Sequence, residues 1–299
     1  MGEIGRLLTA MVTPFTADGE VDYRAAQQLA LALLRSGSDG VVISGTTGEV
    51  PTLSQDEKLR LYREVKQAVG DGGVVIAGTG NYNTAESERL GREAEALGVD
   101  GLLLTVPYYN KPTQEGLFRH FEKLAKGTSL PCILYNIPGR TGVNMTAETT
   151  ARLSRIPNIV GVKEASGNLE QIGQIINLSR EGFRIWSGND SDTLPILAIG
   201  GYGVICVVSH LAGLQMREMI ERFLDGKVAA AAEIHRRLLP LMMTLMTAAS
   251  NPIPIKYALR QLGCNVGGLR LPLVDPDEAA AEKIMAEVRR QRIDLAVPV

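Results

Sequence analysis

Two hydrophobic patterns take turns along this chain. Short apolar runs of about four to eight residues, bounded by turn-forming residues, read as strands buried on both faces of a parallel sheet. They occupy residues 7–12, 39–44, 74–77, 101–106, 131–136, 159–163, 183–187 and 203–208. Between them the apolar spacing becomes helical: Ala25, Leu29, Leu33 and Leu34 share one face, as do Leu61, Val65, Ala68 and Val69, and then Leu90, Ala94 and Leu97. The second of these helices is announced by Ser54-Gln55-Asp56-Glu57, a capping box. A helix starting at Asn168 is expected to turn Leu169, Ile172 and Ile176 inward. Eight strand–helix units within residues 1–225 predict a (β/α)8 TIM barrel. A doubly wound sheet fits less well, because Gly78-Thr79-Gly80 has Asn83 where a dinucleotide fingerprint needs its third glycine.

After residue 225 the strand pattern stops, and residues 226–299 read as a small all-helical extension. Ala231, Ile234, Leu238, Leu241 and Leu245 form the stripe of a long amphipathic helix. Asn251-Pro252-Ile253-Pro254 breaks it, and a shorter helix is expected over 255–262. Asp275-Pro276-Asp277-Glu278 predicts a last helix capped by Asp275, with Ala280, Ala281, Ile284 and Val288 on its inner face.

A barrel carries its chemistry at the C-terminal ends of its strands. The residues there are Thr13-Pro14, Gly45-Thr46-Thr47-Gly48-Glu49, Gly78-Thr79, Pro107-Tyr108-Tyr109-Asn110, Tyr135-Asn136, Lys163-Glu164, Gly188-Asn189-Asp190 and Ser209-His210. Lys163 closes the apolar run Ile159-Val160-Gly161-Val162. A lysine in a low-dielectric setting loses its proton more readily, and the neutral amine is a nucleophile. Taken by itself, the run is explained as well by a lysine that snorkels to solvent or pairs with Glu164. Its company favours the nucleophile: the hydroxyls of Thr47, Tyr109 and Tyr135 pass protons, and Arg140 stands in the loop after Tyr135-Asn136. Thr46 and Thr47 suit one carboxylate and Arg140 a second, so the set points to Schiff-base chemistry on a 2-oxo acid.

Composition narrows the classes. The 299 residues are 45% hydrophobic with a formal charge of −2, and no basic cluster suggests a nucleic-acid partner. No apolar run reaches membrane-spanning length, and Met1 to Arg6 has no leader pattern. Cys132, Cys206 and Cys264 are far apart in apolar or glycine-rich surroundings, as expected of reduced core residues in a cytoplasmic protein. No paired histidines stand at metal-ligand spacing, so no metal is expected. His210, a lone histidine at a loop start, reads as a hydrogen-bonded structural residue. Glu49 and Asp190 could form a carboxylate pair for glycoside hydrolysis, but Glu49 follows a tight glycine turn, which favours a structural role.

Five motifs carry a family resemblance: Gly45-Thr46-Thr47-Gly48-Glu49, the segment from Pro107 to Pro112, the segment from Tyr135 to Gly142, Gly161-Val162-Lys163-Glu164-Ala165-Ser166-Gly167, and the segment from Asn251 to Lys256. With these the chain resembles, nearly end to end, the dihydrodipicolinate synthase family within the class I pyruvate-lyase superfamily. The resemblance implies condensation of pyruvate with L-aspartate 4-semialdehyde, with no cofactor beyond a covalent imine between Lys163 and pyruvate. It implies a proton relay of Tyr135, Thr47 and Tyr109, the last supplied by a neighbouring subunit of a homotetramer built as a dimer of dimers. Thr46 and Thr47 would hold the pyruvate carboxylate. Arg140 would bind the semialdehyde carboxylate and help position Tyr135, and main-chain groups of Gly188 and Ile205 would line the pocket. Asn189 and Ser209-His210 depart from the usual pattern, away from the imine machinery. At the family's lysine-effector site Glu86 and Tyr108 are kept, but Val50, Pro51, Gln55, Lys58 and Tyr82 stand at the other positions. A cationic Lys58 would repel a cationic ligand, so weak or absent lysine inhibition is expected. Sibling aldolases acting on N-acetylneuraminate or 2-keto-3-deoxy sugar acids would share Lys163 and Tyr135. They usually have serine at the second threonine of the loop and lack the Pro138-Gly139-Arg140 context. A catalytically silent barrel that binds a metabolite should have lost Lys163 or the tyrosines.

Overall fold

The computed structural model describes residues 4–296. The expectation that Met1 to Arg6 holds no leader pattern rests partly on the first three residues, which lie outside the described ones. Eight parallel strands close into a barrel in sequence order: β1 (Leu7–Ala10), β2 (Gly40–Ile43), β3 (Val74–Gly78), β4 (Gly101–Thr105), β5 (Cys132–Asn136), β6 (Ile159–Glu164), β7 (Arg184–Ser187) and β8 (Gly203–Cys206). β1 closes the ring by pairing Leu8 with Ile205 of β8. The expected (β/α)8 TIM barrel is the fold of the chain.

β1 and β8 each stop two residues short of the apolar runs that encode them, because other partners take the later amides. The N–H groups of Val207 and Val208 donate to the Asp190 carboxylate, which ends β8 at Cys206. The Val12 N–H donates to Nε2 of His210 just past the end of β1.

Period-two alternation splits the strands between two cores, interrupted in β6, whose register against β5 shifts by one residue between Cys132 and Ile133 and so sets Val160 and Lys163 on the same side. Leu8, Ala10, Val42, Ile76, Leu103, Ile133, Tyr135, Trp186 and Ile205 fill the barrel interior. Leu7, Val41, Val75, Leu102, Cys132, Leu134, Val162 and Ile185 face outward into the shell of helices. Each such burial is worth roughly 1.5–3 kcal/mol for a large apolar side chain. Gly161 makes room for the largest interior residue: a Cβ there would lie 2.5 Å from Cζ3 of Trp186 and 2.2 Å from the Arg184 carbonyl oxygen. The three cysteines are free and buried.

Helix Gln55–Val69 opens on the expected capping box, with both Ser54–Glu57 bonds formed. Helix Leu169–Leu178 is capped by Asn168, and Ile172 and Ile175 are buried. Leu169 is not inward as expected: it is 42% exposed, in the first turn at the barrel rim beyond the end of β6. Helix Ser209–Leu224 completes the ring, and helices Val228–Thr247, Ile253–Gln261 and Glu278–Arg289 follow it. All five residues of the long stripe, from Ala231 to Leu245, are buried. The shorter helix starts two residues earlier than expected, since Pro254 falls within its first turn, where a missing N–H costs nothing. The last helix is capped by Asp277, not Asp275. The Asp277 carboxylate accepts from the Ala280 N–H at 2.8 Å, while Asp275 pairs with Arg260. Among the described residues no helix is long and apolar enough to cross a membrane.

Candidate active site

β6 delivers Lys163 to the C-terminal mouth of the barrel. Val160 and Lys163 face inward, Ile159 and Val162 outward, and the register sets Lys163 between Tyr135 of β5 and Trp186 of β7. The lysine side chain neither snorkels nor pairs with its neighbour. Lys163 is 5% exposed, and its Nζ lies 4.4 Å from the centre of the Tyr135 ring. Glu164 points outward, where its carboxylate accepts from Asn136 Nδ2 at 3.1 Å and from the Ser166 N–H at 2.8 Å. Among the described residues no hydrogen bond or ion pair reaches the Lys163 amine. The carboxyl of Asp190 feels the Lys163 charge. Burial pushes that group above the usual carboxylate range, while the Val208 and Val207 amides and the Lys163 charge draw it back.

The loop after β2 carries the two threonines in a tight turn, with the Glu49 N–H bonded to the Thr46 carbonyl at 3.1 Å. Glu49 itself is left-handed, at φ 55°. What holds it there is a buried ion pair: Lys256 Nζ donates to Glu49 Oε1 at 2.6 Å, and the Arg270 N–H donates to Oε2 at 3.0 Å. Burial pushes the Lys256 amine down to about 8, against the opposing charge of Glu49. Glu49 and Asp190 are therefore both occupied in holding backbone, and the structural reading of Glu49 stands over a glycosidase pair. His210 is structural as well. It is fully buried, Nε2 accepts from the Val12 N–H, Nδ1 donates to the Val207 carbonyl, and burial lowers its pKa to about 4.

Thr46 opens onto a cleft of about 180 Å³ that it shares with Thr105, Tyr108, Ile137, Arg140 and Thr141. Thr47 is buried, and its hydroxyl accepts from Asn251 Nδ2 at 3.0 Å. Arg140, in the short helix Pro138–Thr141, donates to the Asn251 carbonyl at 3.1 Å. No hydrogen bond joins it to Tyr135 among the described residues, so its partner is Asn251. Gly188 donates its N–H to the Glu164 carbonyl at 2.7 Å, so close to Ala165 that an added Cβ would stand 2.6 Å from that residue's own. Ile205 projects into the barrel interior.

Tyr109 is the predicted site residue that the single chain does not bring to the others: it is 91% exposed, on a left-handed backbone at φ 71°. A second cleft of about 190 Å³ lies beside the first, lined by Lys58, Glu86, Tyr82, Asn81 and Tyr108. Burial lowers the Lys58 pKa, and the Glu86 charge opposes that shift. Reasoning from sequence assigned no role to Asn251, Lys256 or Arg270. The available signal was a lysine placed one residue after Ile255 on a helix face that also carries Leu259, where a solvated charge does not belong.

Comparison with known proteins agrees with this geometry. The profile described as the dihydrodipicolinate synthetase family matches residues 3–291. A relative from Dehalococcoides mccartyi strain CBDB1, named 4-hydroxy-tetrahydrodipicolinate synthase, is 59% identical over 297 residues, which is 99% of this chain and 100% of the relative. A solved dihydrodipicolinate synthase from Cyanidioschyzon merolae, with lysine bound, superposes with a TM-score of 0.94 at 46% identity, covering 96% of this chain and 98% of that one. A monomeric variant of a dihydrodipicolinate synthase superposes with a TM-score of 0.93 at 40% identity, over 96% of each chain. By its profile, its near-complete coverage at high identity and its barrel, the chain belongs to the dihydrodipicolinate synthetase family.

Proposed function

We propose that this chain is a 4-hydroxy-tetrahydrodipicolinate synthase, condensing pyruvate with L-aspartate 4-semialdehyde on the way to diaminopimelate and lysine. The observation that carries this reading is Lys163, a buried amine at the barrel mouth with no ion partner among the described residues, set against the Tyr135 ring. In this reading the Lys163 amine attacks C2 of pyruvate, and Tyr135 supplies the proton with which the former carbonyl oxygen leaves as water. The iminium withdraws electrons, so a methyl proton is lost and an enamine forms. Its carbon attacks the aldehyde carbon of the semialdehyde, and the alkoxide takes up a proton. The substrate's own amino group then attacks C2, expels the Lys163 amine and closes the ring, with one water released overall.

Arg140 pairs with the semialdehyde carboxylate, and Thr46 and Thr47 flank the pyruvate carboxylate, with main chain at Gly188 and Ile205 completing the pocket. A relay hydroxyl must accept one proton and give up another. Thr47 already accepts from Asn251, whereas Thr46 is open to the cleft. The relay between Tyr135 and Tyr109 therefore falls to Thr46 more easily than to Thr47, and Thr47 is better suited to holding the carboxylate. Tyr109, 91% exposed on its own chain, reaches the relay of a neighbouring chain in a homotetramer of two dimers. The reaction needs no cofactor besides the covalent imine, and the reduced cysteines suit a cytoplasmic setting.

The test is consumption of both substrates by the purified chain, with N-acetylneuraminate and 2-keto-3-deoxy sugar acids offered in parallel. Turnover of the semialdehyde at about 1–1000 per second, the ordinary range for enzymes, is expected. Cleavage of a sugar acid without semialdehyde turnover would move the function to a sibling aldolase.

A further inference from the structure

The steps proposed above leave Asn251 without a task, yet it touches both groups assigned to carboxylates. It lies between helices Val228–Thr247 and Ile253–Gln261 and is 5% exposed. Its side-chain Nδ2 donates to Thr47 Oγ1 at 3.0 Å, and its main-chain carbonyl accepts from Arg140 at 3.1 Å. A hydroxyl that accepts from an amide keeps its own hydrogen for a further acceptor. The same segment is pinned again where Lys256 meets Glu49, two residues after Thr47, so the amide cannot drift from the loop it serves. The other side-chain atom, Oδ1, is buried with no hydrogen-bond partner among the described residues. Buried unpartnered acceptors are rare, and one kept in place calls for an explanation such as a functional role.

We propose that Asn251 is a positioning residue: its amide aims the Thr47 hydroxyl hydrogen at the pyruvate carboxylate, while its main-chain carbonyl fixes the Arg140 guanidinium beside it. This rests on the pyruvate–semialdehyde reading. The two arms differ in a way that can be measured. Substitution removes the side-chain arm and leaves the carbonyl, so the pyruvate side should suffer and the semialdehyde side should not.

Steady-state kinetics of wild type, Asn251→Ala, Thr47→Val and the double variant test the proposal. Asn251→Ala should raise the pyruvate KM about tenfold, the size of one hydrogen bond to a charged group, and leave the semialdehyde KM within about twofold. In the Thr47→Val background the same change should add less than about twofold, because the residue acts through that hydroxyl. Asn251→Asp keeps the size of the side chain but accepts the Thr47 hydrogen and repels pyruvate, so it should raise the pyruvate KM further than alanine does. It carries the test if the alanine variant does not fold. An unchanged pyruvate KM, a parallel rise in both KM values, or additive effects of Asn251→Ala and Thr47→Val would overturn the proposal. A wild-type chain that forms no pyruvate adduct would instead overturn the reading beneath it.

Discussion

At the scale of single residues, isolation matters more than any contact. Lys163 has an aromatic ring on one side and, among the described residues, no carboxylate bonded to it, whereas Lys256, also buried, is committed to Glu49. A committed lysine holds structure, and an uncommitted one is available to a carbonyl carbon. Lys58 presents a third case. It lies in the cleft beside Glu86 and Tyr108, and its charge would face any cationic effector there. Half-inhibition by free lysine should therefore require more than about 1 mM, an affinity worth less than about 4 kcal/mol. Lys58→Ala should tighten it. Initial rates across a lysine titration check this, and strong inhibition of the wild type at micromolar lysine would contradict it.

Between elements, the extension and the barrel share one buried network rather than a simple apolar seam. Replacing Lys256 by Met leaves the Glu49 carboxylate buried without its cation and should cost about 3–5 kcal/mol in chemical unfolding. The pair Glu49→Gln with Lys256→Met should recover a large part of that loss, since neither charge is then stranded. The barrel was legible in the sequence because each strand is an uninterrupted apolar run followed by a helical period, as at 101–106 or 131–136. The capping boundaries were legible wherever a single residue qualified, as with Ser54. They were not where two competed: Asp275 and Asp277 both qualify as caps, and only the pairing of Asp275 with Arg260 separates them. Lys163, Thr46, Thr47 and Arg140 could be placed at the barrel mouth from sequence because strand ends converge in a barrel. The hydrogen bond of Asn251 to Thr47 could not be, because it spans 204 residues of chain.

At the scale of the whole molecule, two properties reach beyond any one element. Burial lowers the pKa values of His120 and His210 to about 4, so both are neutral in the native chain below their ordinary value of 6.5. Between these limits the unfolded chain binds more protons, so stability falls as pH drops from about 6.5 towards 4, by up to about 1.4 kcal/mol per pH unit for each histidine. Urea unfolding at stepped pH should show that slope, and His120→Asn should reduce it. The second property is assembly. If Tyr109 serves a neighbour, Lys163→Ala and Tyr109→Ala chains are each inactive alone, yet mixed dimers hold one complete site. Random mixing should restore about a quarter of wild-type activity, half the dimers carrying one site of two. No recovery after verified subunit exchange would place Tyr109 outside the relay.

The most direct test of the central claim is borohydride reduction of the folded chain with pyruvate, followed by peptide mass spectrometry. The account predicts a reduced pyruvate adduct on Lys163 and on no other lysine, Lys256 included. An unmodified Lys163, or an adduct at another position, would contradict it.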